Sequence, residues 1–116
     1  MKKSEVLRRA ASLLEEKGWI QGMLASDKEG VSVGPFNPNA IAWCAIGALN
    51  RICGKGDGSG YHMGDNTVIR HDIIKDLRTD VGGMSVSTWN DDPKRSRDDV
   101  IELFHNAAAE YEKTGE

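Results

Sequence analysis

The sequence predicts a small, mainly α-helical single domain of about four helices, with a minor β-hairpin. Three observations lead to this fold class. The chain has 116 residues, which is the length of one domain spanning 1–116. Apolar side chains recur at helical spacing in four segments, and only short stretches alternate as strands do. Hydrophobic residues make up 39% and charged residues 28%, a composition typical of ordinary globular domains.

The first helix is predicted to begin at a Ser4 cap and to run to about Lys17, where Gly18 ends it. Trp19 and Ile20 should then fold back onto the core. The apolar face of this helix consists of five side chains, Val6, Leu7, Ala10, Leu13 and Leu14.

The second helix is predicted over residues 40–53, with Asn39 as its N-cap. It is the most apolar segment of the chain and should be the central buried helix. Gly47 lies inside it, and a glycine at such a position usually lets another backbone approach closely. Residues 31–33 are predicted to form a short strand before it.

Three further elements follow a glycine-rich loop at 54–66. Asn66 is predicted to cap a helix over 67–79, with Val68, Ile69, Ile73 and Leu77 facing inward. The alternation at 84–88 predicts a short strand. Ser96 and Asp99 then form a capping-box pattern for the last helix, whose apolar face consists of Val100, Ile101, Phe104, Ala107, Ala108 and Tyr111.

Charge and composition exclude several classes of protein. The net charge is −3, whereas a protein that coats nucleic acid is basic overall. No apolar run approaches the length needed to span a membrane, and the N-terminus lacks the apolar core of a signal peptide. We therefore expect a cytoplasmic protein. Cys44 and Cys53 lie roughly 13 Å apart on one predicted helix, too far for a disulfide.

Cys44 is the sharpest catalytic candidate, because it lies near the start of a predicted helix, where the dipole can lower a thiol pKa. With His62 or His71 and with Asn90 or Asp91 downstream, it follows the order of groups in papain-like enzymes. A cysteine hydrolase or transferase is therefore the alternative function. The apolar neighbours of Cys44 favour a buried core thiol instead, so no catalytic set is preferred and the protein is expected not to be an enzyme.

Metal and phosphate sites are not expected. Asp57, Asp65, His62 and His71 offer oxygen and nitrogen ligands, but their spacing matches no metal motif. The alternating glycines around Lys55 follow a helix rather than a strand, and no Ser or Thr follows the lysine. We therefore expect neither a metal nor another cofactor, and we interpret the segment as a flexible loop.

Two segments are candidates for binding. Trp89 is expected to pack on the core while Asn90 and Asp91 close a turn; alternatively, these three form a polar recognition edge with Lys94, Arg95 and Arg97. The acidic last helix is suited to a basic protein partner through Asp98, Asp99, Glu102, Glu110 and Glu112. Nucleic-acid binding would need the basic residues Arg8, Arg9, Lys94, Arg95 and Arg97 on one face, and the net charge argues against it.

Two motifs carry a resemblance over residues 6–108. The stretch 43–49, Trp-Cys-Ala-Ile-Gly-Ala-Leu, occurs with Trp89-Asn90-Asp91 before the last helix. Together they resemble an uncharacterised family of small actinobacterial and phage-borne proteins. The resemblance implies a phage or mobile-element setting and assigns no catalytic residue. The resulting expectation is a cytoplasmic protein-binding module that inhibits a host complex, such as a defence complex. The oligomeric state is left open.

Overall fold

Helices and two small antiparallel sheets build the described part of the chain. A computed structural model describes residues 1–56, 61–62 and 66–116. The helices are α1 (Lys3–Glu16), α2 (Ala45–Cys53), α3 (Thr67–Asp80), α4 (Val86–Asn90) and α5 (Arg97–Glu112). The strands are β1 (Ala25–Ser26), β2 (Ser32–Val33), β3 (Ala42–Trp43), β4 (Lys55–Gly56) and β5 (Tyr61–His62). The predicted mainly α-helical fold is therefore confirmed.

The core lies where α1, α2, α3 and α5 meet. α1 packs most extensively against α5 and also contacts α2 and α3. Its apolar face is buried, as its periodicity predicts. The largest fully buried apolar side chains are Val6, Leu7, Leu14, Leu49, Ile73, Leu77, Val100 and Phe104. Burying each such side chain stabilises the fold by about 1.5–3 kcal/mol. Within the described ranges, no helix is both long and apolar enough to cross a bilayer.

A three-stranded sheet lies across the N-terminal end of α2. Its strand order is β2-β1-β3, all antiparallel, with Ala25 opposite both Val33 and Trp43. The predicted strand at 31–33 corresponds to β2. Trp19 forms a parallel bridge with Trp43, and the Ile20 N–H donates to the Trp43 carbonyl at 3.2 Å. The segment after α1 therefore folds back onto the core, as expected.

The predicted helix at 40–53 begins five residues late, at Ala45. Residues 42–43 form β3, and Cys44, not Asn39, is the N-cap. The Ile41 N–H donates to the Ser26 carbonyl at 2.8 Å, and the Trp43 N–H donates to the Gly18 carbonyl at 3.1 Å. Short apolar runs fit a buried strand as well as a helix. Here pairing with distant segments decides in favour of the strand.

Gly47 has the role that its position in a helix suggested. β1 and its preceding residue cross α2 so closely that a Cβ atom on Gly47 would lie 1.9 Å from the Leu24 carbonyl oxygen. Cβ atoms are never found at such a distance in real structures. The predicted close approach of a second backbone is therefore confirmed, and the glycine sets the distance between sheet and helix.

Two predicted helix caps are wrong. Ser4 lies inside α1 and is buried, while Lys2 precedes the helix without a side-chain cap. Asn66 precedes α3 but makes no capping hydrogen bond; its Nδ2 donates instead to the Cys53 carbonyl at 3.1 Å. Ser4 is buried and Asn66 makes a tertiary contact, and the local sequence predicts neither. Val68, predicted to face inward, is 69% exposed on α3.

The alternating segment at 84–88 is also not a strand. The Ser85 hydroxyl accepts from the Thr88 N–H at 3.1 Å and caps the short helix α4. Serine at this position satisfies a free amide of the first helical turn, which outweighs the weak alternation.

The capping box of α5 is confirmed, because Ser96 accepts from the Asp99 N–H and Asp99 accepts from the Ser96 N–H. The flexibility predicted for 54–66 falls mostly outside the described residues.

Candidate functional site

Cys44 lies at the first turn of α2, but it is buried. Its Sγ accepts from the Gly47 N–H at 3.3 Å, and the residue is only 5% exposed. Burial raises the pKa of the Cys44 thiol, and this effect exceeds the lowering by the Gly47 hydrogen bond. A nearby carboxylate, Asp91, raises the pKa further. The sulfur therefore favours the neutral thiol rather than the nucleophilic thiolate.

The other members of the alternative catalytic set are only partly brought together. Asn90 is adjacent to Cys44 in space, since its Oδ1 accepts from the Ala45 N–H at 3.0 Å. His71 is exposed on α3. Among the described side chains, no histidine hydrogen-bonds to the sulfur of Cys44. The His62 side chain, and with it Asp57 and Asp65, lies outside the described residues.

Asn90 is a fully buried junction of three chain segments. Its Oδ1 accepts from Trp19 Nε1 at 2.7 Å as well as from the Ala45 N–H. Its Nδ2 donates to the Ile20 carbonyl at 3.3 Å and to Asp91 Oδ1 at 3.0 Å. All the hydrogen-bonding positions of the amide are therefore used. Asn90 holds the segment after α1 and the first turn of α2 to α4.

The expected roles of Asn90 and Asp91 in closing their own turn are wrong. Asp91 Oδ1 accepts from the Gly22 N–H at 3.0 Å, across the fold rather than within the turn. Asp92 closes the turn instead, accepting from the Lys94 N–H at 2.9 Å. Gln21, which the sequence did not single out, donates to the Asn90 and Asp92 carbonyls at 2.9 and 2.7 Å. A glutamine between Ile20 and Gly22 gives no local signal of such a role.

Trp89 and Arg95 contact each other and so stabilise the turn between α4 and α5. The Arg95 guanidinium lies 3.9 Å from the centre of the Trp89 ring, and its Nε donates to the Trp89 carbonyl at 2.9 Å. Asp99 is occupied by the capping box. The predicted recognition residues that are exposed are Asp91, Lys94, Arg97, Asp98, Glu102, Glu110 and Glu112. Arg97 and Asp98 form an exposed ion pair at 3.5 Å.

Both cysteines are free thiols in the core. Cys44 and Cys53 are buried and are not joined by a disulfide. Burial raises the pKa of Cys53 to about 11. Neither sulfur therefore has the lowered pKa of a reactive cysteine. In the described part of the chain, no three His, Cys, Asp or Glu side chains are grouped so that they could hold a metal ion.

An acidic groove of about 250 Å³ lies between α3 and α5, and we define it by Asp76, Thr79, Asp80, Ala107, Glu110 and Tyr111. Burial, followed by repulsion from Asp76 and Glu110, raises the pKa of Asp80. The Tyr111 hydroxyl donates to Asp76, and burial together with this bond raises the pKa of Tyr111. Glu110 pairs with Lys113 at 2.9 Å, whereas Asp76 and Asp80 form no ion pair within the described residues. These two carboxylates therefore concentrate negative charge in the groove.

An arginine cleft of about 310 Å³ lies on the other side of α3, between α3 and α4. We define it by Ile46, Arg70, His71, Ile74, Arg78, Ser85, Val86 and Ser87. Arg70 Nε donates to the buried Asn50 Oδ1, and Arg78 Nε donates to the Gly83 carbonyl at 2.9 Å. The lining set contains no carboxylate, so the cleft concentrates positive charge.

Comparison with known protein families gives one match. The model of a family of unknown function, DUF6197, matches residues 1–110. The chain belongs to this family. DUF6197 membership agrees with the resemblance to an uncharacterised family, and it assigns no role to the acidic groove or the arginine cleft. No curated protein and no solved structure matches this DUF6197 chain.

Sequence reasoning missed the charged residues that flank α3 of this DUF6197 member. Asp76 and Asp80 are four residues apart, and Arg70 and Arg78 are eight apart, so each pair lies on one side of a helix. This spacing was a usable signal. The roles of Asn50 and Gly83 in holding the arginines arise from tertiary contacts and could not be deduced from the sequence.

Proposed function

We propose that the protein is a cytoplasmic, non-enzymatic protein-binding module, carried by a phage or another mobile element and directed at a host complex such as a defence complex. The main support is the separation of opposite charges along the two sides of α3. Asp76 and Asp80 face the acidic groove, whereas Arg70 and Arg78 face the arginine cleft. The resemblance to phage-borne proteins supports the biological setting.

Charge separation of this kind opposes stability. Like charges four residues apart on a helix destabilise it by about 0.2–0.5 kcal/mol, whereas opposite charges at the same spacing stabilise it. The pKa of Asp80 is raised because burial, and then repulsion from neighbouring carboxylates, disfavours its charged form. Local arrangements that cost stability are expected where a surface has another role. An incoming cation would relieve the repulsion.

The acidic groove therefore fits a basic segment of the partner. A lysine or arginine side chain placed between Asp76 and Asp80 would form charge-assisted hydrogen bonds. Asp98 and Glu102, exposed along α5, would extend the negative field and speed encounter. This retains the acidic last helix as part of the interface and adds α3 to it.

Capture of partners by two charge-matched double variants tests the proposal. Asp76→Asn/Asp80→Asn and Glu15→Gln/Glu16→Gln each remove two carboxylates, and the latter pair lies exposed at the end of α1. We expect a stoichiometric protein partner to bind the wild type and the α1 variant, and to be lost with the α3 variant. Equal capture by both variants, or no partner across several host lysates, would contradict the proposal.

The alternative function, a cysteine hydrolase or transferase, depends on an activated Cys44. Its position as the N-cap of α2 favours activation, while burial opposes it. Alkylation rates measured against pH in a Cys53→Ser variant distinguish the two. Because burial raises the pKa of Cys44, we expect very slow alkylation of the folded protein at neutral pH and fast alkylation after unfolding. Rapid native-state alkylation with a midpoint well below about 8.5 would favour the enzyme.

A further inference from the structure

The arginine cleft is a second recognition site, separate from the acidic groove. We propose that it binds an extended acidic peptide segment of a partner protein, in which an apolar side chain lies between two carboxylates. The proposal rests on how the two arginines are held, on what lies between them and on their spacing. It does not depend on the acidic groove or on a basic partner.

Both arginines are held in place by neutral acceptors. Arg70 donates through Nε to Asn50, which is only 2% exposed, and Arg78 donates through Nε to the Gly83 carbonyl. A neutral acceptor orients a guanidinium without cancelling its charge. Within the described residues, no carboxylate forms an ion pair with Arg70 or Arg78. By contrast, Arg8, Arg9, Arg95 and Arg97 all pair with carboxylates.

The floor between the arginines is apolar. Ile74 lies midway between Arg70 and Arg78 on the same side of α3. Ile46 from α2 and the buried Val86 from α4 complete the floor. The exposed residues His71, Ser85 and Ser87 form the rim, and the Ser85 hydroxyl is engaged in capping α4. A ligand for this cleft therefore needs an apolar centre and two negative ends.

The spacing favours an extended peptide. Eight residues of helix place the two arginines about 12 Å apart along α3. In an extended chain, alternate side chains face the same way, and the first and fifth are about 13 Å apart. Carboxylates at those positions would each meet one guanidinium, an arrangement that favours paired hydrogen bonds. The third side chain would then lie over Ile74.

Nucleic acid fits the cleft less well than a peptide. None of the residues that define it is Phe, Tyr or Trp, so the small imidazole of His71 is the one ring in the lining on which a base could stack. The whole chain has a net charge of −3, and the acidic groove lies on the opposite side of the same helix. Both features repel a polyanion while leaving a short acidic segment able to enter.

Binding of short capped peptides tests the proposal directly. A fluorescent Glu-Ser-Leu-Ser-Glu peptide is titrated with the protein at low salt and followed by anisotropy. Two control peptides replace either both glutamates by glutamine or the leucine by serine. We expect saturable binding of the first peptide and at least about tenfold weaker binding of each control, because the glutamine control loses the charge-assisted hydrogen bonds and the serine control loses the apolar contact with Ile74.

Variants locate the binding to the cleft. Arg78→Gln removes an exposed charge, and Ser87→Asp places a carboxylate at an exposed rim position. Each should weaken peptide binding at least about tenfold. Arg9→Gln removes an exposed arginine from α1 and serves as the control, with no expected effect. Arg78 is preferred over Arg70, because changing Arg70 would leave the buried Asn50 without its partner.

Four outcomes would overturn the proposal. They are no saturable binding by the wild type, equal binding by Arg78→Gln and Arg9→Gln, tighter binding of a short oligonucleotide than of the acidic peptide, and self-association of the wild type that Ser87→Asp abolishes. The Asp76→Asn/Asp80→Asn variant should bind the peptide normally. Loss of one site is therefore distinguishable from loss of the other.

Discussion

Asn90 uses its entire side-chain amide inside the fold. It was a candidate for both catalysis and recognition on sequence grounds, yet its four hydrogen bonds all end on the protein itself. Cys44 is similar, since its sulfur caps a helix from a buried position. At the residue scale, the motifs 43–49 and 89–91 are therefore explained by assembly of the fold.

Asn90→Asp should destabilise the protein strongly at neutral pH. An aspartate cannot donate to the Ile20 carbonyl, and its charge would be buried beside Asp91. We expect a loss of about 3–5 kcal/mol in the free energy of unfolding, measured in urea. Asn106→Asp, at an exposed position of α5, is the matched control. Equal stability of the two variants would contradict the role given to Asn90.

Two physical arguments predict opposite effects of Gly47→Ala on stability. Helix propensity alone predicts that alanine stabilises α2 by up to about 1 kcal/mol. The 1.9 Å contact with the Leu24 carbonyl predicts destabilisation, of about 1–3 kcal/mol or more, because the crossing backbone must move. Thermal unfolding of this variant beside Gly34→Ala, where a Cβ meets nothing, measures the sign. A stabilised Gly47→Ala protein would refute the close approach.

Elements with strong amphipathic periodicity were predicted well from the sequence. α1 and α3 begin and end within two residues of expectation, and α5 begins directly after the predicted Ser96 cap, since one continuous apolar face defines each of them. The start of α2 and the whole of α4 were wrong. In both segments a short sequence pattern is compatible with a strand and with a helix. Pairing with distant backbone makes residues 42–43 a strand, and the Ser85 cap makes residues 86–90 a helix. The spacing of like charges on α3 was a usable signal, but the two clefts themselves could not be predicted, because they depend on how the helices pack together.

The capping box of α5 should make a measurable contribution to stability. Ser96→Ala removes the acceptor for the Asp99 N–H and leaves the first turn of α5 with an unpaired amide. We expect a loss of about 1 kcal/mol in urea unfolding. Ser12→Ala, exposed within α1, should change stability by a few tenths at most. A Ser96→Ala protein as stable as the control would show that the cap is dispensable.

At the scale of the whole molecule, the position of the charges is more informative than the net charge. The net charge is only −3, but carboxylates gather on one side of α3 and arginines on the other. Arg8 ties α1 to α5 through Glu112 at 2.6 Å and His105 at 2.7 Å. The Arg8–Glu112 pair lies at the surface, whereas Asp76, Asp80, Arg70 and Arg78 of α3 form no ion pair within the described residues.

The acidic groove predicts a specific pH dependence of stability. The folded-state pKa of Asp80 is raised, so the folded protein binds this proton more tightly than the unfolded chain does. The resulting stabilisation is present below the ordinary value of 3.8 and is lost as pH rises through the raised pKa. Asp80→Asn should therefore be more stable than wild type at neutral pH, with the advantage shrinking as pH falls toward 3.8.

Thermal unfolding of the two proteins across this pH range measures the effect. Asp98→Asn serves for comparison, because it removes one carboxylate from the exposed start of α5. An advantage of Asp80→Asn that grows on acidification, or no advantage at neutral pH, would contradict the crowding of charge in the acidic groove.

The junction at Asn90 has a consequence for hydrogen exchange. The Ala45 amide begins α2, yet its proton is held by a side chain of α4 rather than by a carbonyl of its own helix. The Trp19 indole proton is held by the same oxygen. Both protons should therefore exchange with solvent at a common rate set by the opening of α4. Two probes far apart in the sequence would report one local event.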